Sequence, residues 1–160
     1  MIRQPYKNTW PRKNLGELLN FLDRIYPEGY TLDTLAEKFG VTRESFSQMF
    51  RGDDAKLSKA EAIARAYGYR LTLYFPQKTR LLGELHTSAP RHTYPDAGNL
   101  AGLVKYIQDS NISIHHMGLR IGRRYGPINA AFSKGDIKIS MLYEILKNLN
   151  INVIWNFEKL

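Results

Sequence analysis

The sequence contains no cysteine among its 160 residues. The chain therefore has no disulfide and no thiolate ligand for a metal ion. No apolar run approaches the roughly 18 residues that a membrane-spanning helix needs. The first ten residues also lack the apolar core of a secretory signal peptide. These absences predict a cytoplasmic protein without a membrane partner.

Motifs that support catalysis or hold cofactors are equally scarce. The sequence has no glycine-rich phosphate loop, no nucleophile elbow and no paired carboxylates at a catalytic spacing. The one pair of adjacent histidines is His115 and His116. Neighbouring residues on a helix diverge by about 100°, whereas two metal ligands need to share one face. We therefore expect no enzyme, no cofactor and no metal, and interpret this pair as solvated or lying at the edge of the core.

Positive charge is what the chain has in excess, with 23 Lys and Arg against 15 Asp and Glu and a formal net charge of +8. The excess is spread along the chain, because residues 1–80 carry 14 basic and 9 acidic residues and residues 81–160 carry 9 and 6. A basic balance favours a polyanion such as nucleic acid as partner. Charge alone does not distinguish such a protein from a merely soluble basic one.

Residues 32–50 contain two short amphipathic segments separated by a turn. Each segment places its apolar residues on one helical face, namely Leu32, Leu35 and Phe39 in the first and Phe46, Met49 and Phe50 in the second. Gly40 can adopt a positive φ at the end of the first helix, and the Thr42 hydroxyl can cap the second. A small residue at Ala36, a glycine four residues later and a buried apolar residue at Phe46 are typical of a helix-turn-helix.

On these residues, the stretch resembles the DNA-binding helix-turn-helix of the phage-repressor (Cro, or XRE) family. Any αα-hairpin with a glycine turn shares part of this pattern, but the flanking helices also fit the family. The resemblance implies that the third helix of the unit enters the major groove of duplex DNA.

The helix-turn-helix forms the middle of a longer predicted unit. Asn14 is predicted to cap a first helix over residues 15–25, and Ser58 to cap a fourth helix that Gly68 ends. Residues 69–75 then alternate as a strand with one apolar face. Residues 1–13 form a predicted basic arm, which either is disordered or lies along phosphates or in a minor groove.

The second half of the chain repeats this order of elements. From Thr31 onward the halves match at a constant offset of 82 residues, so that Ser113 matches Thr31 and Gly122 matches Gly40. We therefore predict a mainly α protein with two repeats of a four-helix helix-turn-helix unit, each followed by one β-strand. The predicted domains are a basic N-terminal arm at 1–13, repeat 1 at 14–76, a linker at 77–93 and repeat 2 at 94–160.

The two predicted strands, at residues 69–75 and 151–157, are expected to pair with each other. An isolated strand leaves its backbone groups without partners, so antiparallel pairing about a pseudo-twofold axis is the simplest solution. The strand after each helical unit resembles the one that HipB-like antitoxins use to join two subunits. The resemblance implies a monomer with the internal symmetry of a dimer, for which further dimerisation stays open.

The resemblance also implies a set of DNA-contacting residues, carried over position by position. Arg can bind guanine, Gln can bind adenine and Glu can accept from cytosine, while amides at the start of the second helix suit phosphate. In the first repeat the candidates are Thr31, Thr42, Arg43, Glu44, Ser47, Gln48 and Arg51. In the second they are Arg123, Arg124, Tyr125, Asn129, Ser133 and Lys134. The second set has more phosphate-binding chemistry and fewer base readers, so the two heads are expected to read different sequences.

These features predict a double-stranded DNA-binding protein, a transcriptional regulator that reads a bipartite site through two heads in one chain. The alternative is a protein-interaction module, such as the antitoxin-type partner of a toxin. Exposed aromatic side chains at Trp10, Tyr74 or Tyr94 would favour that alternative.

Overall fold

The computed structural model describes residues 10–76, 94–110, 112–122 and 125–160. This part of the chain is mainly helical with one small two-stranded antiparallel sheet, which confirms the predicted fold class in this general form. Most of the predicted arm and the whole of the predicted linker 77–93 lie outside the described residues. None of the described helices has both the length and the apolar character needed to cross a bilayer.

Along the described residues, four helices and a strand are followed by four more helices and a second strand. They are α1 (Gly16–Ile25), α2 (Leu32–Phe39), α3 (Arg43–Gly52), α4 (Leu57–Ala66), β1 (Tyr69–Tyr74), α5 (Ala101–Asp109), α6 (Ile114–Arg120), α7 (Tyr125–Lys134), α8 (Ile139–Leu149) and β2 (Ile154–Lys159). A short 3-10 helix, Gly98–Leu100, leads into α5.

The strand β2 begins three residues later than the alternation predicts. Asn150 has a φ of 55° and ends α8 in the left-handed region. The Ile151 N–H then donates to the Leu146 carbonyl at 3.1 Å. Ile151 therefore completes the end of the helix instead of entering the ladder, and the strand starts only at Ile154.

Two compact units make up the described chain. The first contains residues 10–71, 138–140 and 157–160, and the second contains residues 72–76, 94–137 and 141–156. Each unit therefore includes segments that are distant in the sequence. Both strands are divided between the units, β1 after Leu71 and β2 after Asn156.

Pairs of aromatic rings connect several elements in the core of the first unit. The Phe46 ring lies 5.5 Å from that of Phe39 and 5.9 Å from that of Phe50, measured between centroids. The Phe21 ring of α1 stacks on Phe157 near the end of β2, at 4.2 Å and an interplanar angle of 10°. Aromatic pairs at such distances add to the stabilisation from burial alone. The C-terminal strand is thus part of the core that supports α1.

The second unit combines an aliphatic core with a few specific polar contacts. The Trp155 indole N–H donates to the Tyr143 hydroxyl at 3.1 Å, and the Leu73 backbone N–H donates to Asn99 Oδ1 at 3.1 Å. Gly135 ends α7 with a φ of 67°, and a Cβ there would collide with the Asp96 carbonyl. The chain before α5 can approach this turn only because the residue is glycine.

Three tyrosines meet near the end of α1. The Tyr26 hydroxyl donates to the Tyr67 hydroxyl at 2.9 Å, and the rings of Tyr26 and Tyr30 lie 5.9 Å apart. Burial, with a smaller contribution from the Asp23 carboxylate, raises the pKa of Tyr30 to about 12. Burial and the hydrogen bond with Tyr26 raise the pKa of Tyr67 above its ordinary value. Both hydroxyls therefore hold their protons more tightly in the folded state.

We predict that the free energy of unfolding falls when the pH rises from about 10 to about 12. Unfolded tyrosine titrates near pH 10, so above that pH the unfolded chain releases protons that the native state retains. The stabilisation from Tyr30 is fully present below pH 10 and is lost as the pH approaches 12. The urea concentration at the unfolding midpoint should be measured from about pH 8 to about pH 12. As the pH rises, it should fall less steeply for Tyr30→Phe than for the wild type. The exposed Tyr74→Phe is the control, and identical profiles for Tyr30→Phe and the wild type would contradict the prediction.

Candidate nucleic-acid interface

The turn between α2 and α3 is closed by backbone hydrogen bonds. Gly40 has a φ of 63°, its N–H donates to the Glu37 carbonyl at 3.3 Å, and the Val41 N–H donates to the Ala36 carbonyl at 3.2 Å. This pair of bonds is a Schellman motif, which satisfies the last carbonyls of a helix and redirects the chain. The predicted role of Gly40 is confirmed.

Side-chain packing then fixes the orientation of α3. The Thr42 hydroxyl caps the helix by accepting from the Ser45 N–H at 3.3 Å. Phe46 and Phe50 are 1% and 0% exposed, and α2 packs against α3. Because two residues four positions apart lie on one helical face, burying this pair turns the opposite face of α3 to solvent.

That opposite face carries the predicted contact residues of the first repeat. Glu44, Gln48 and Arg51 are exposed to solvent. The Arg51 Nε–H donates to the Ser47 carbonyl at 3.4 Å, which holds the guanidinium stem along the helix. The structure therefore brings the α3 candidates together on one side of a ten-residue helix.

Thr31 lies at the start of α2, where it was predicted. Its hydroxyl accepts from the Thr34 N–H at 3.1 Å and also pairs with the Thr34 hydroxyl at 2.9 Å. The side chain therefore caps α2, and its hydroxyl is already engaged. Any contact with phosphate at this position would fall mainly to the neighbouring backbone amides.

In the second unit α6 packs against α7. Gly122 has a φ of 69° and donates its N–H to the Leu119 carbonyl at 3.2 Å. The Ser113 hydroxyl accepts from the His116 N–H at 3.0 Å, in the same way as the hydroxyl of Thr31. Pro127 lies in the first turn of α7, where a helix tolerates a missing N–H.

Exposure of the individual candidates in the first repeat follows the helical period. Glu44, Gln48 and Arg51 are exposed, as is Thr42, whereas Arg43 and Ser47 are half-buried. The exposed side chains are those farthest from the buried phenylalanine pair, as a period of 3.6 residues requires.

Of the contact residues predicted in the second repeat, only some are described and exposed to solvent. Arg123 and Arg124 lie outside the described residues, and Tyr125 is described only as the first residue of α7. Ser133 and Lys134 are exposed near the end of the helix. Asn129 is half-buried, and its Oδ1 accepts from the Tyr94 hydroxyl at 2.7 Å. Because a bidentate contact with adenine uses both ends of the amide, Asn129 is engaged elsewhere in this structure.

A residue that sequence reasoning missed positions α1 against α3. Asp53 is 8% exposed, and its carboxylate accepts from the backbone N–H groups of Asn14 and Leu15, both at 2.9 Å. The prediction that Asn14 caps α1 with its own side chain is therefore wrong, because the carboxylate comes from 39 residues away. The only local signal is an acidic residue in the turn after α3.

The predicted cap of the fourth helix is also wrong. The helix α4 begins at Leu57 with Lys56 in the cap position, and the Lys56 side chain makes no capping hydrogen bond. Ser58 lies one residue inside the helix. The reason is tertiary, because the backbone of Lys56 is extended in an antiparallel β-bridge with Lys138, so the helix starts immediately after that bridge.

The histidine pair shows no sign of a metal site. The Nδ1 atom of His116 lies 2.7 Å from the Ser113 hydroxyl, and the rings of His115 and His116 have centroids 6.0 Å apart. Within the described residues, no group of three or more His, Cys, Asp or Glu side chains is arranged to hold a metal ion. The pair lies in the first turn of α6, beside the cap.

The aromatic residues that would favour a protein partner differ in exposure. Trp10 is half-buried against Phe50, with ring centroids 5.6 Å apart. Tyr94 is half-buried with its ring edge on Phe132, at 5.9 Å. Tyr74 is 49% exposed. Of these three aromatic residues, only Tyr74 is exposed, as the alternative function of a protein-interaction module predicts.

Comparison with protein-family models, with curated proteins and with solved structures finds no match to this chain. The function must therefore be inferred from the residues of the chain itself.

We predict opposite effects of alanine at the two glycines of the first helix-turn-helix. Gly40 has a positive φ, and a Cβ added there would meet no atom within 4 Å, so Gly40→Ala should cost about 1–2 kcal/mol of stability through backbone strain alone. Gly52 is the last residue of α3 and is equally open, so Gly52→Ala should stabilise by up to about 1 kcal/mol through helix propensity. Urea unfolding of both variants measures the difference. Destabilisation by both, or by neither, would contradict the described turn.

Proposed function

We propose that this chain binds double-stranded DNA and acts as a transcriptional regulator, with α3 as its principal reading helix. The observation that carries the proposal is the solvent face of α3, where Glu44, Gln48 and Arg51 are exposed opposite a buried aromatic face. Arg, Gln and Glu are the side chains suited to guanine, adenine and cytosine edges. A helix about 10–12 Å across fits a major groove about 12 Å wide.

We propose that the chain contains two copies of one four-helix unit. Residues with positive φ support this, because three pairs of them are separated by 82 residues, namely Gly40 and Gly122, Asp53 and Gly135, and Gly68 and Asn150. Helix ends thus keep one backbone conformation even where the residue types differ. The contact between Trp10 and Phe50 in one unit corresponds to the contact between Tyr94 and Phe132 in the other.

The strand pair supports the internal symmetry of this proposal. β1 and β2 each contain six residues, and beyond their ends the Leu160 N–H donates to the Gly68 carbonyl at 2.8 Å. Counting inward from that bond places Leu73 opposite Trp155, and these two residues are themselves 82 apart. Antiparallel pairing of corresponding residues is what a pseudo-twofold axis requires. One polypeptide would then read a bipartite site as a monomer.

In this proposal the two helix-turn-helix heads contribute differently to the recognition of DNA. The α3 surface presents base-reading side chains, whereas the described part of the α7 surface presents Ser133 and Lys134 and holds Asn129 in a hydrogen bond with Tyr94. The first head would set most of the base preference, and the second would chiefly anchor phosphates.

One observation supports a second candidate function, that of a protein-interaction module. Tyr74 and Ile154, at the same end of the sheet, are 49% and 53% exposed. Large apolar side chains that adjoin on an exposed surface are typical of binding sites for other proteins. A toxin-like protein partner is the form of this candidate that the sequence predicts.

We predict that duplex DNA binding weakens steeply with salt, because Lys and Arg contacts release condensed counterions. After selection of a preferred sequence from random duplexes, Gln48→Ala should lose about 1–3 kcal/mol of discrimination at one half-site. Lys134→Ala should weaken all sequences alike and lower the salt slope by about one unit. The exposed Lys105→Ala on α5 removes the same charge elsewhere and is the matched control.

Two outcomes would contradict this proposal. One is the absence of duplex binding at about 50 mM salt, where phosphate contacts are strong, which would leave the interaction module as the function. The other is a loss of base preference with Lys134→Ala but not with Gln48→Ala, which would reverse the proposed division between the heads.

A further inference from the structure

Two lysines from corresponding positions of the chain lie side by side in the first unit. Lys56 and Lys138, which are 82 residues apart in the sequence, form an isolated antiparallel β-bridge. Both side chains are exposed, and both residues belong to the first compact unit. Next to the bridge, the Ile139 N–H donates to the Ala55 carbonyl at 2.8 Å.

Asp54 fastens the two segments that carry these lysines. Its Oδ1 accepts from the Ser140 backbone N–H at 3.0 Å and from the Ala55 N–H at 2.9 Å, and its Oδ2 accepts from the Ser140 hydroxyl at 2.7 Å. The carboxylate is thus committed to holding backbone and hydroxyl donors. The two lysine-bearing segments therefore have little freedom to separate.

Such a pair is unfavourable in the absence of an anion. Like charges directly opposite each other on paired strands destabilise the pairing. Neither ammonium has an ion-pair partner among the described residues. Lys59, in the first turn of α4, lines the same groove as Lys56 and adds a third positive charge. Its ammonium lies 5.5 Å from the Phe46 ring centroid. These lysines are held close together although their repulsion lowers stability. This suggests that their positive charge has a function.

The lysines adjoin the proposed reading helix. An open groove of about 490 Å³ between α3 and α4 is lined by Ser45 and Met49 on the α3 side and by Lys56 and Lys59 on the α4 side. A helix in the major groove is bordered by the sugar–phosphate backbones of the duplex. The polyanion that would meet this edge of α3 is therefore the DNA backbone itself.

We propose that Lys56 and Lys138, with Lys59, form a phosphate-binding site for the DNA strand that borders the groove entered by α3. The inference rests on the proposed function and adds a site to it. Lysine binds phosphate as a point charge and reads no base, so the site sets affinity and register for any sequence. Because Lys138 comes from the second half of the chain, the first helix-turn-helix alone would lack part of this site.

The test compares charge-neutral variants of the full chain. Lys56→Gln and Lys138→Gln keep most of each side-chain stem and remove its charge, and a Lys105→Gln/Lys147→Gln double variant on α5 and α8 is the matched control. Fluorescence anisotropy of a selected and a scrambled duplex, titrated with salt, gives the slope of log affinity against log salt. Each single variant should lower the slope by about one unit and the double variant by about two, equally on both duplexes.

A measurement without DNA separates failure of the site from failure of the proposed function. Heparin serves as a polyanion without bases, and urea unfolding at low salt reports the repulsion between the lysines. The double variant should bind heparin more weakly than the control and should unfold at higher urea than the wild type, with the difference vanishing at high salt.

The outcomes are distinguishable. Duplex binding by the wild type with an unchanged slope in the Lys56→Gln/Lys138→Gln variant would overturn the lysine site and leave the proposed function standing. Heparin binding that depends on the pair, without any duplex binding, would overturn the proposed function and support an anion site. A wild type that binds neither polyanion would overturn both.

Discussion

Burial of Phe46 and Phe50 is the constraint on which the proposed interface depends. These two rings lie one turn apart on α3 and are 1% and 0% exposed. Once they are in the core, the helical period leaves Glu44, Gln48 and Arg51 no orientation except outward. Truncation of a buried phenylalanine typically costs about 3–5 kcal/mol, a large part of the roughly 5–15 kcal/mol that stabilises an ordinary domain. The same residues therefore maintain the fold and aim the candidate contact residues.

The two consecutive acidic residues after α3 form hydrogen bonds with different parts of the chain. Asp53 supplies its carboxylate to the start of α1, while Asp54 binds the segment around Ser140. In the second half the corresponding residues are Gly135 and Asp136. Gly135 keeps the left-handed backbone of Asp53, with φ of 67° against 52°, but permits close approach of the Asp96 carbonyl instead of supplying a carboxylate. One backbone turn is thus stabilised by a side chain in one half and by close backbone contact in the other.

Side chains of the two halves differ on the surfaces proposed to contact DNA. The turn before α3 presents Val41, whereas the corresponding position of the second half is Arg123. The α3 face keeps several groups that suit base edges, and the described α7 face keeps chiefly a hydroxyl and an ammonium. A shared backbone with divergent outward residues fits one chain that reads an asymmetric site. The proposed lysine site would add sequence-independent attraction beside the proposed reading helix.

The sequence by itself determined the order of the helices, the turn at Gly40 and the cap at Thr42, because these depend on spacings of three or four residues. It also indicated the strand pairing, although β2 begins later than the alternation suggests, since Ile151 is needed to end α8. Only the tertiary structure decided the hydrogen bonds from Asp53 to the backbone just before α1, the hydrogen bond between Tyr94 and Asn129, and the meeting of Lys56 with Lys138. Each of these joins residues at least 35 positions apart. No local period specifies such a partner, because packing of the helices, and not the spacing of residues along one of them, brings the two groups within reach.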